Sequence, residues 1–475
     1  MPARHAPCCA VACMSSAPAP ADLSLDRASL HAAYAAGLRP EQVVALIHRR
    51  LAALDDPGIF LQLIPEADAA HAAAALAPFD PARFPLWGLP VAVKDNIDIA
   101  GLPTTAACPA FAKLARETAP AAARLLAAGA VLVGKTNLDQ FATGLVGVRT
   151  PYPAPRNAFD AARVPGGSSS GSAVAVAQGL ATLALGTDTA GSGRIPAALN
   201  NLVGLKPSLG VVSTRGVVPA CRTLDCVSVF ALSVADAWAG FAAIAGEDAG
   251  DPFSRPIAWQ DPEHAAPILR IGIPATPELD DAPGRVAWAA ASTRLAGLGA
   301  AMTELDMAPF HAVARLLYDG PWVAERAAAV GAFAAANPDA MHPVTRGILA
   351  GAARFSAVDA FRGLYLLAEL RRRTEPVWDS VDALAVPSAP NFPTVAELDA
   401  DPIGPNARLG AYTNFVNLLD LAALAVPGPF RPDGLPAGIT LIGPRGSDAR
   451  LAALGARFQA AAQPRLGATA GRLAA

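Results

Sequence analysis

At 475 residues, 53% of them hydrophobic and with a formal net charge of −3, the chain can bury a large core and has no electrostatic footprint for nucleic acid or an acidic membrane. Six cysteines, crowded at Cys8, Cys9 and Cys13 and scattered at Cys108, Cys221 and Cys226, fit neither a disulfide framework nor a zinc pattern, which favours a reducing cytoplasm. Of 37 basic residues only Lys94, Lys113, Lys135 and Lys206 are lysines; Arg keeps its proton near neutral pH while a buried Lys can lose it, so each lysine is a candidate for chemistry.

Residues 1–24 are rich in Ala, Pro and Ser and are expected to form a disordered tail, with Met1 and Met14 both open as the start. The body, 25–460, reads as one domain. PVAVKDNIDI (90–99) and AVLVGK (130–135) read as strands around an Ala-rich helix at 118–128. Further strands are expected at 180–188, 269–274, 383–389 and 437–443, and helices at 172–179, 284–298, 310–332 and 410–424. The apolar run 226–246 is long enough to suggest a membrane span, but Ser233 followed by Asp236 reads as a helix N-cap that splits it into a strand and a core helix. Such alternation predicts an α/β fold, a sheet with helices on both faces, followed by a tail at 461–475. No internal repeat is present.

Three motifs are candidates for chemistry, and the first is a decoy. GAVLVGKT (129–136) satisfies the phosphate-loop pattern, but its variable residues are a buried strand instead of a loop that wraps phosphate, so Lys135 is expected to be structural. VPGGSSSGSAVAVAQGL (164–180) is either a polar linker or a tight loop at a helix start. It runs straight into core segments, which favours the loop. In GTDTAGSGRIPAALNNLVGLKP (186–207) a strand ends near Asp188, a small-residue turn follows at Thr189, Ala190, Gly191 and Ser192, and a helix begins near Pro196. Small residues admit a carbonyl close to the backbone, and consecutive N–H groups can stabilise an oxyanion.

A nucleophilic serine needs a base, and no histidine falls between 72 and 263, where these turns lie. No histidine–cysteine cluster offers a metal. Lys94, inside an apolar strand, is the nearest candidate. Its ordinary pKa of about 10.4 has to fall by roughly three units, a differential of about 4 kcal/mol that full burial can impose. The alternative is a Lys94 paired with Asp95 or another carboxylate.

GLPVAVKDNID (88–98), GGSSSGSA (166–173), GTDTAGSGRIPA (186–197) and GLKPSLG (204–210), in this order, resemble the amidase signature family from about residue 25 to 460. The resemblance implies a mixed central β-sheet covered by helices on both faces and a triad of Lys94, Ser168 and Ser192, with a cis bond at Gly167–Ser168. It implies an oxyanion hole from the N–H groups of Thr189, Ala190, Gly191 and Ser192, and acyl-enzyme chemistry without a cofactor. The turn Ala190-Gly191-Ser192-Gly193-Arg194, the segment 213–232 and LLYDGPWVAER (316–326) resemble the allophanate hydrolase branch. In that branch a Tyr and an Arg eight residues apart hold a substrate carboxylate, here Tyr318 and Arg326; a guanidinium fork suits a carboxylate. The implied reaction takes allophanate, urea carrying a carboxylate, to ammonia and N-carboxycarbamate, which breaks down to carbon dioxide and more ammonia. The resemblance further implies a homodimer coupled to a urea carboxylase, and a second, decarboxylating domain absent or carried by a separate protein. The alternatives are an amidase for malonamate-like or aryl amides and a glutamine-dependent tRNA amidotransferase A-type subunit.

Overall fold

Short runs of Val, Leu, Ile and Ala buried on both faces form the centre of the molecule, as expected of strands covered on each side. The computed structural model describes residues 19–462 and 465–473. In chain order the strands are β1 (Phe60–Leu63), β2 (Pro90–Lys94), β3 (Pro103–Thr104), β4 (Lys113–Leu114), β5 (Val131–Thr136), β6 (Leu183–Asp188), β7 (Val203–Lys206), β8 (Cys226–Ala231), β9 (Arg270–Pro274), β10 (Ala301–Leu305), β11 (Ala383–Pro387), β12 (Ala422–Pro427) and β13 (Gly438–Gly443). All but β3 and β4 join one 11-stranded sheet in the order β1-β5-β2-β6-β8-β7-β12-β13-β11-β9-β10.

The sheet is mixed. β5, β2 and β6 run parallel, as do β11, β9 and β10, while the strands from β6 through β8, β7, β12 and β13 to β11 pair antiparallel. Adjacent residues of β8 show both faces covered: Ser228 meets Gly193 beside the helix Arg194–Leu199, and Val229 meets Gly240 of the helix Val234–Ile244. That second helix begins where the sequence places it, with the Ser233 side chain accepting from the Asp236 N–H. Among the described residues no helix is long and apolar enough to cross a membrane.

Three expectations are corrected. The strand expected at 90–99 ends at Lys94; a turn follows, and beyond it only Ile97 forms a bridge, to Val217. The helix expected at 310–332 is two, Ala308–Asp319 and Trp322–Ala336, broken where Gly320 is extended and Pro321 follows. The helix expected at 410–424 is only Asn414–Leu418; Asp420 turns left-handed (φ 56°) and the chain continues as β12. The long polar helix Ala357–Thr374 was not expected. Of the proposed tails, residues 1–18, with Cys8, Cys9 and Cys13, lie outside the described residues. Residues 19–23 are anchored, since Ala19 is buried and Arg50 donates to the Ala21 and Leu23 carbonyls. At the other end Leu466 is buried and Asn201 donates to the carbonyls of Arg465 and Gly467.

Candidate active site

The parallel strands β2 and β6 end side by side, and polar residues cluster where their apolar runs stop. Lys94, the last residue of β2, is 0% exposed. Its Nζ lies 2.8 Å from Ser168 Oγ and 2.7 Å from Thr187 Oγ1 on β6. It is not paired with Asp95, which forms a buried ion pair with Lys135 at 2.9 Å. Lys135 also donates to the Pro103 carbonyl and Thr104 hydroxyl, so the lysine of the phosphate-loop look-alike is committed inside the core. Burial lowers the Lys94 pKa to about 7, against the opposing pull of Asp139, Asp225 and Asp188.

Ser168 follows a cis Gly167–Ser168 peptide, and both serine loops are buried. The glycine- and serine-rich segment is therefore a loop leading into the buried helix Ser170–Ala177, not a linker. Ser192 lies in the turn between β6 and the helix Arg194–Leu199. Gly191 at φ 125° leaves no room for a Cβ, which would stand 2.4 Å from Thr413 Oγ1. Asp188 organises this turn. Its carboxylate accepts from the Gly191 N–H (2.9 Å), the Gly193 N–H (3.0 Å) and two nitrogens of Arg194 (2.9 and 2.8 Å). Burial pushes the Asp188 carboxyl up, but the Arg194 guanidinium overrides it and holds it below the usual range.

Two details depart from the expected site. The Gly191 N–H, expected in the oxyanion hole, is committed to Asp188, because the carboxylate reaches under the turn. That leaves the N–H groups of Thr189, Ala190 and Ser192. Among the described residues the hydroxyls of Ser168 and Ser192 are not hydrogen-bonded to each other; the contact formed is that between Lys94 and Ser168.

Arg326 sits in the helix Trp322–Ala336 and is 2% exposed. Its Nη2 donates to Tyr318 Oη and its Nη1 to Thr143 Oγ1, both at 3.3 Å, and the guanidinium lies 5.3 Å over the Tyr318 ring. Nε is buried without a hydrogen-bond partner, and among the described residues Arg326 has no ion pair. Tyr318 also lines a cavity of about 680 Å³ with Arg149, His311, Asn406 and Asn414. Behind the lining residues Gly410, Ala411 and Asn414 lies the buried Thr413, whose hydroxyl donates to the Ala190 carbonyl at 2.6 Å. Among the described residues no group of three or more His, Cys, Asp or Glu side chains is arranged to hold a metal ion.

Sequence reasoning missed Thr187, Thr143 and Asp225. Asp225 is buried, accepts from the Thr189 hydroxyl and from the Ala220 and Cys221 N–H groups, and is pushed up to about 6 by burial. Thr187 stands in the 186–207 motif and Asp225 in the segment 213–232, while Thr143 stands in neither; only tertiary contact reveals what each of them does. The Asp188–Arg194 clamp had a signal, an acid and an arginine six residues apart around a glycine turn.

The family model for amidases matches residues 42–452. The urea amidolyase of Lachancea kluyveri is 45% identical over 435 residues, 90% of this chain and 24% of that protein. The 2-amino-5-chloromuconic acid deaminase of Comamonas testosteroni is 34% identical over 376 residues, with 77% of this chain and 80% of that protein covered. The structure of Kluyveromyces lactis allophanate hydrolase superposes with a TM-score of 0.87 at 42% identity, covering 94% of this chain and 75% of that one. The chain thus spans about a quarter of the length of the urea amidolyase it matches. Its four motifs, its mixed sheet and the match across 42–452 lead to one conclusion: the chain belongs to the amidase signature family.

Proposed function

We propose that this protein hydrolyses allophanate, with Ser192 as nucleophile, Ser168 as relay and Lys94 as base. A Lys94 amine titrating near 7 is half uncharged at neutral pH and accepts the Ser168 proton. Ser168 in turn takes the proton of Ser192 as that hydroxyl attacks the terminal amide carbonyl. For this step the two serine hydroxyls close to hydrogen-bond distance when substrate binds, since catalytic contacts tighten in the complex. The N–H groups of Thr189, Ala190 and Ser192 receive the oxyanion. The proton passes back to the departing nitrogen, ammonia leaves, and water hydrolyses the acyl-enzyme to release N-carboxycarbamate and regenerate Ser192.

The observation that carries the choice of substrate is Arg326: a buried guanidinium with no carboxylate partner among the described residues and an uncommitted Nε. No carboxylate contacts this guanidinium and part of its donor fork is free, so a substrate carboxylate can supply the partner it lacks. Allophanate carries one; simple amides and the side-chain end of glutamine do not. The urea amidolyase and allophanate hydrolase relatives support the same reading. It includes a homodimer in the cytoplasm working beside a urea carboxylase activity, and sizing in solution checks the dimer against the 48.2 kDa monomer.

Ammonia release from allophanate, glutamine and propionamide tests the reading. Ser192→Ala is expected to lower kcat on allophanate by at least about 10³-fold. Arg326→Ala is expected to raise KM about 10- to 100-fold, the equivalent of losing a hydrogen-bonded charge pair. Turnover of glutamine with none of allophanate rejects the substrate assignment.

A further inference from the structure

The segment 139–149, between β5 and the Ser168 loop, touches both halves of the site. At one end it is stitched to the relay serine: the Asp139 N–H donates to the Ser168 carbonyl (3.0 Å) and the Gly167 N–H to the Leu145 carbonyl (2.8 Å). The buried Asp139 carboxylate closes the segment on itself by accepting from the N–H groups of Gly147 (3.0 Å) and Arg149 (2.9 Å). At its tip, Phe141 and Ala142 take left-handed backbone angles (φ 51° and 52°), and Thr143 follows.

The Thr143 hydroxyl donates to the Phe141 carbonyl at 3.1 Å, which commits its one proton. Its oxygen accepts from Arg326 Nη1 at 3.3 Å. The Thr143 carbonyl is held by Arg149 Nη1 at 3.2 Å, while Arg149 Nη2 reaches the Pro402 carbonyl at 2.7 Å. Thr143 is therefore fixed from behind and presents an acceptor forwards. On its other side Arg326 is held by the Tyr318 hydroxyl. A guanidinium has five N–H donors; two are committed to these hydroxyls, and the remaining three include the unpartnered Nε–H.

We infer that Thr143 is a positioning residue: it sets the Arg326 guanidinium, and through segment 139–149 ties the carboxylate pocket to the Ser168 loop. The inference rests on the reading of Arg326 as the carboxylate-binding group. Its consequence is a fixed separation between the reacting carbonyl and the substrate carboxylate. A substrate whose carboxylate lies one atom farther from the amide is held out of register. Thr143 touches neither the reacting atoms nor, in this reading, the substrate.

Malonamate, a stable amide bearing a carboxylate, is the probe. Thr143→Val keeps the shape and removes the acceptor. It is expected to raise KM for malonamate about tenfold with kcat changed by less than about threefold, and to lower the preference for malonamate over succinamate. Thr143→Ser, which restores the hydroxyl, is expected to return KM to within about twofold of the parent. If Thr143→Val does not fold, Thr143→Ala reads the same split. A fall in kcat with KM unmoved assigns Thr143 to the architecture of the serine loop and overturns the inference. So does an unmoved KM in a protein whose Arg326→Ala variant shows a raised one. An Arg326→Ala variant with unmoved KM instead removes the carboxylate reading itself.

Discussion

Lys94 illustrates what burial does to one side chain. It ends an apolar strand, is fully enclosed, and has two hydroxyls as hydrogen-bond partners in place of a carboxylate. Hydroxyls solvate an amine without stabilising its charge as an acid would, so desolvation prevails and the pKa falls from 10.5 to about 7. The pH dependence follows. Catalysis through an uncharged amine predicts that kcat/KM rises about tenfold per pH unit below about 7 and levels off above it. The sign for stability is the same. Between about 7 and 10.5 the unfolded chain holds a proton on this lysine that the folded chain does not, so stability rises with pH across that window. Lys94→Met removes the group. Its stability relative to the parent is expected to fall by about 3 kcal/mol from pH 7.5 to 9.5, at roughly 1.4 kcal/mol per unit. Guanidinium titrations at the two pH values measure the difference. A pH–rate profile flat from 5.5 to 8.5 removes Lys94 as the base. This residue was legible beforehand because lysine is scarce here: of four, Lys94, Lys135 and Lys206 are buried, and only Lys113 is exposed, beside Asp98. Its partner Thr187 was not legible, since a threonine inside a strand carries no mark of what faces it across the sheet.

At the scale of elements, the strand–turn–helix unit from β6 to Arg194–Leu199 is held by one carboxylate. Asp188 is fully buried, as is Arg194, and the two form a fork-on-fork pair. Removing one partner strands the other in a low-dielectric interior, which typically costs about 3–5 kcal/mol. Arg194→Met is therefore expected to lose stability in that range by chemical denaturation. It should also lose turnover, because Asp188 orients Gly191 and Gly193 on either side of Ser192. A loss under about 1 kcal/mol would mean that the turn is held by something else. What could be read of the elements beforehand follows the same physics. Continuous apolar runs bounded by polar or glycine residues located β5, β6 and β13 to within a few residues, and the start of β2 but not its end. The run at 410–424 misled because Leu and Ala suit a buried strand as well as a helix, and only the left-handed Asp420 separates the short helix from β12. The helix Ala357–Thr374 escaped because much of it is polar and exposed. Yet Ser356 caps it, accepting from the Asp359 N–H in a capping box, a signal that local sequence did contain.

The whole molecule joins parts that lie far apart in the chain. Lys94 and Ser168 come from the first half, Arg326 from the second, and Thr413, which braces the Ala190 carbonyl, from the last quarter. The sheet has the same character. β12 and β13, near the C-terminal end, sit in its middle, so that β7 reaches β9 and β10 only through β12, β13 and β11. Chain order therefore does not divide the molecule into halves that can each close a core. A chain ended at residue 380 lacks β11, β12 and β13. It would leave β7 with an open edge and the helix Arg194–Leu199 with only β7 of the three strands it packs on. Such a fragment is expected to show no cooperative thermal transition by far-UV circular dichroism and to be cut throughout by protease at low concentration. A sharp melt with protection of 25–250 would mean that the N-terminal strands form an autonomous domain. The C-terminal strands would then only complete the site, and the Thr413 contact to the 189–192 turn would be a late docking step, not part of the core that creates the turn.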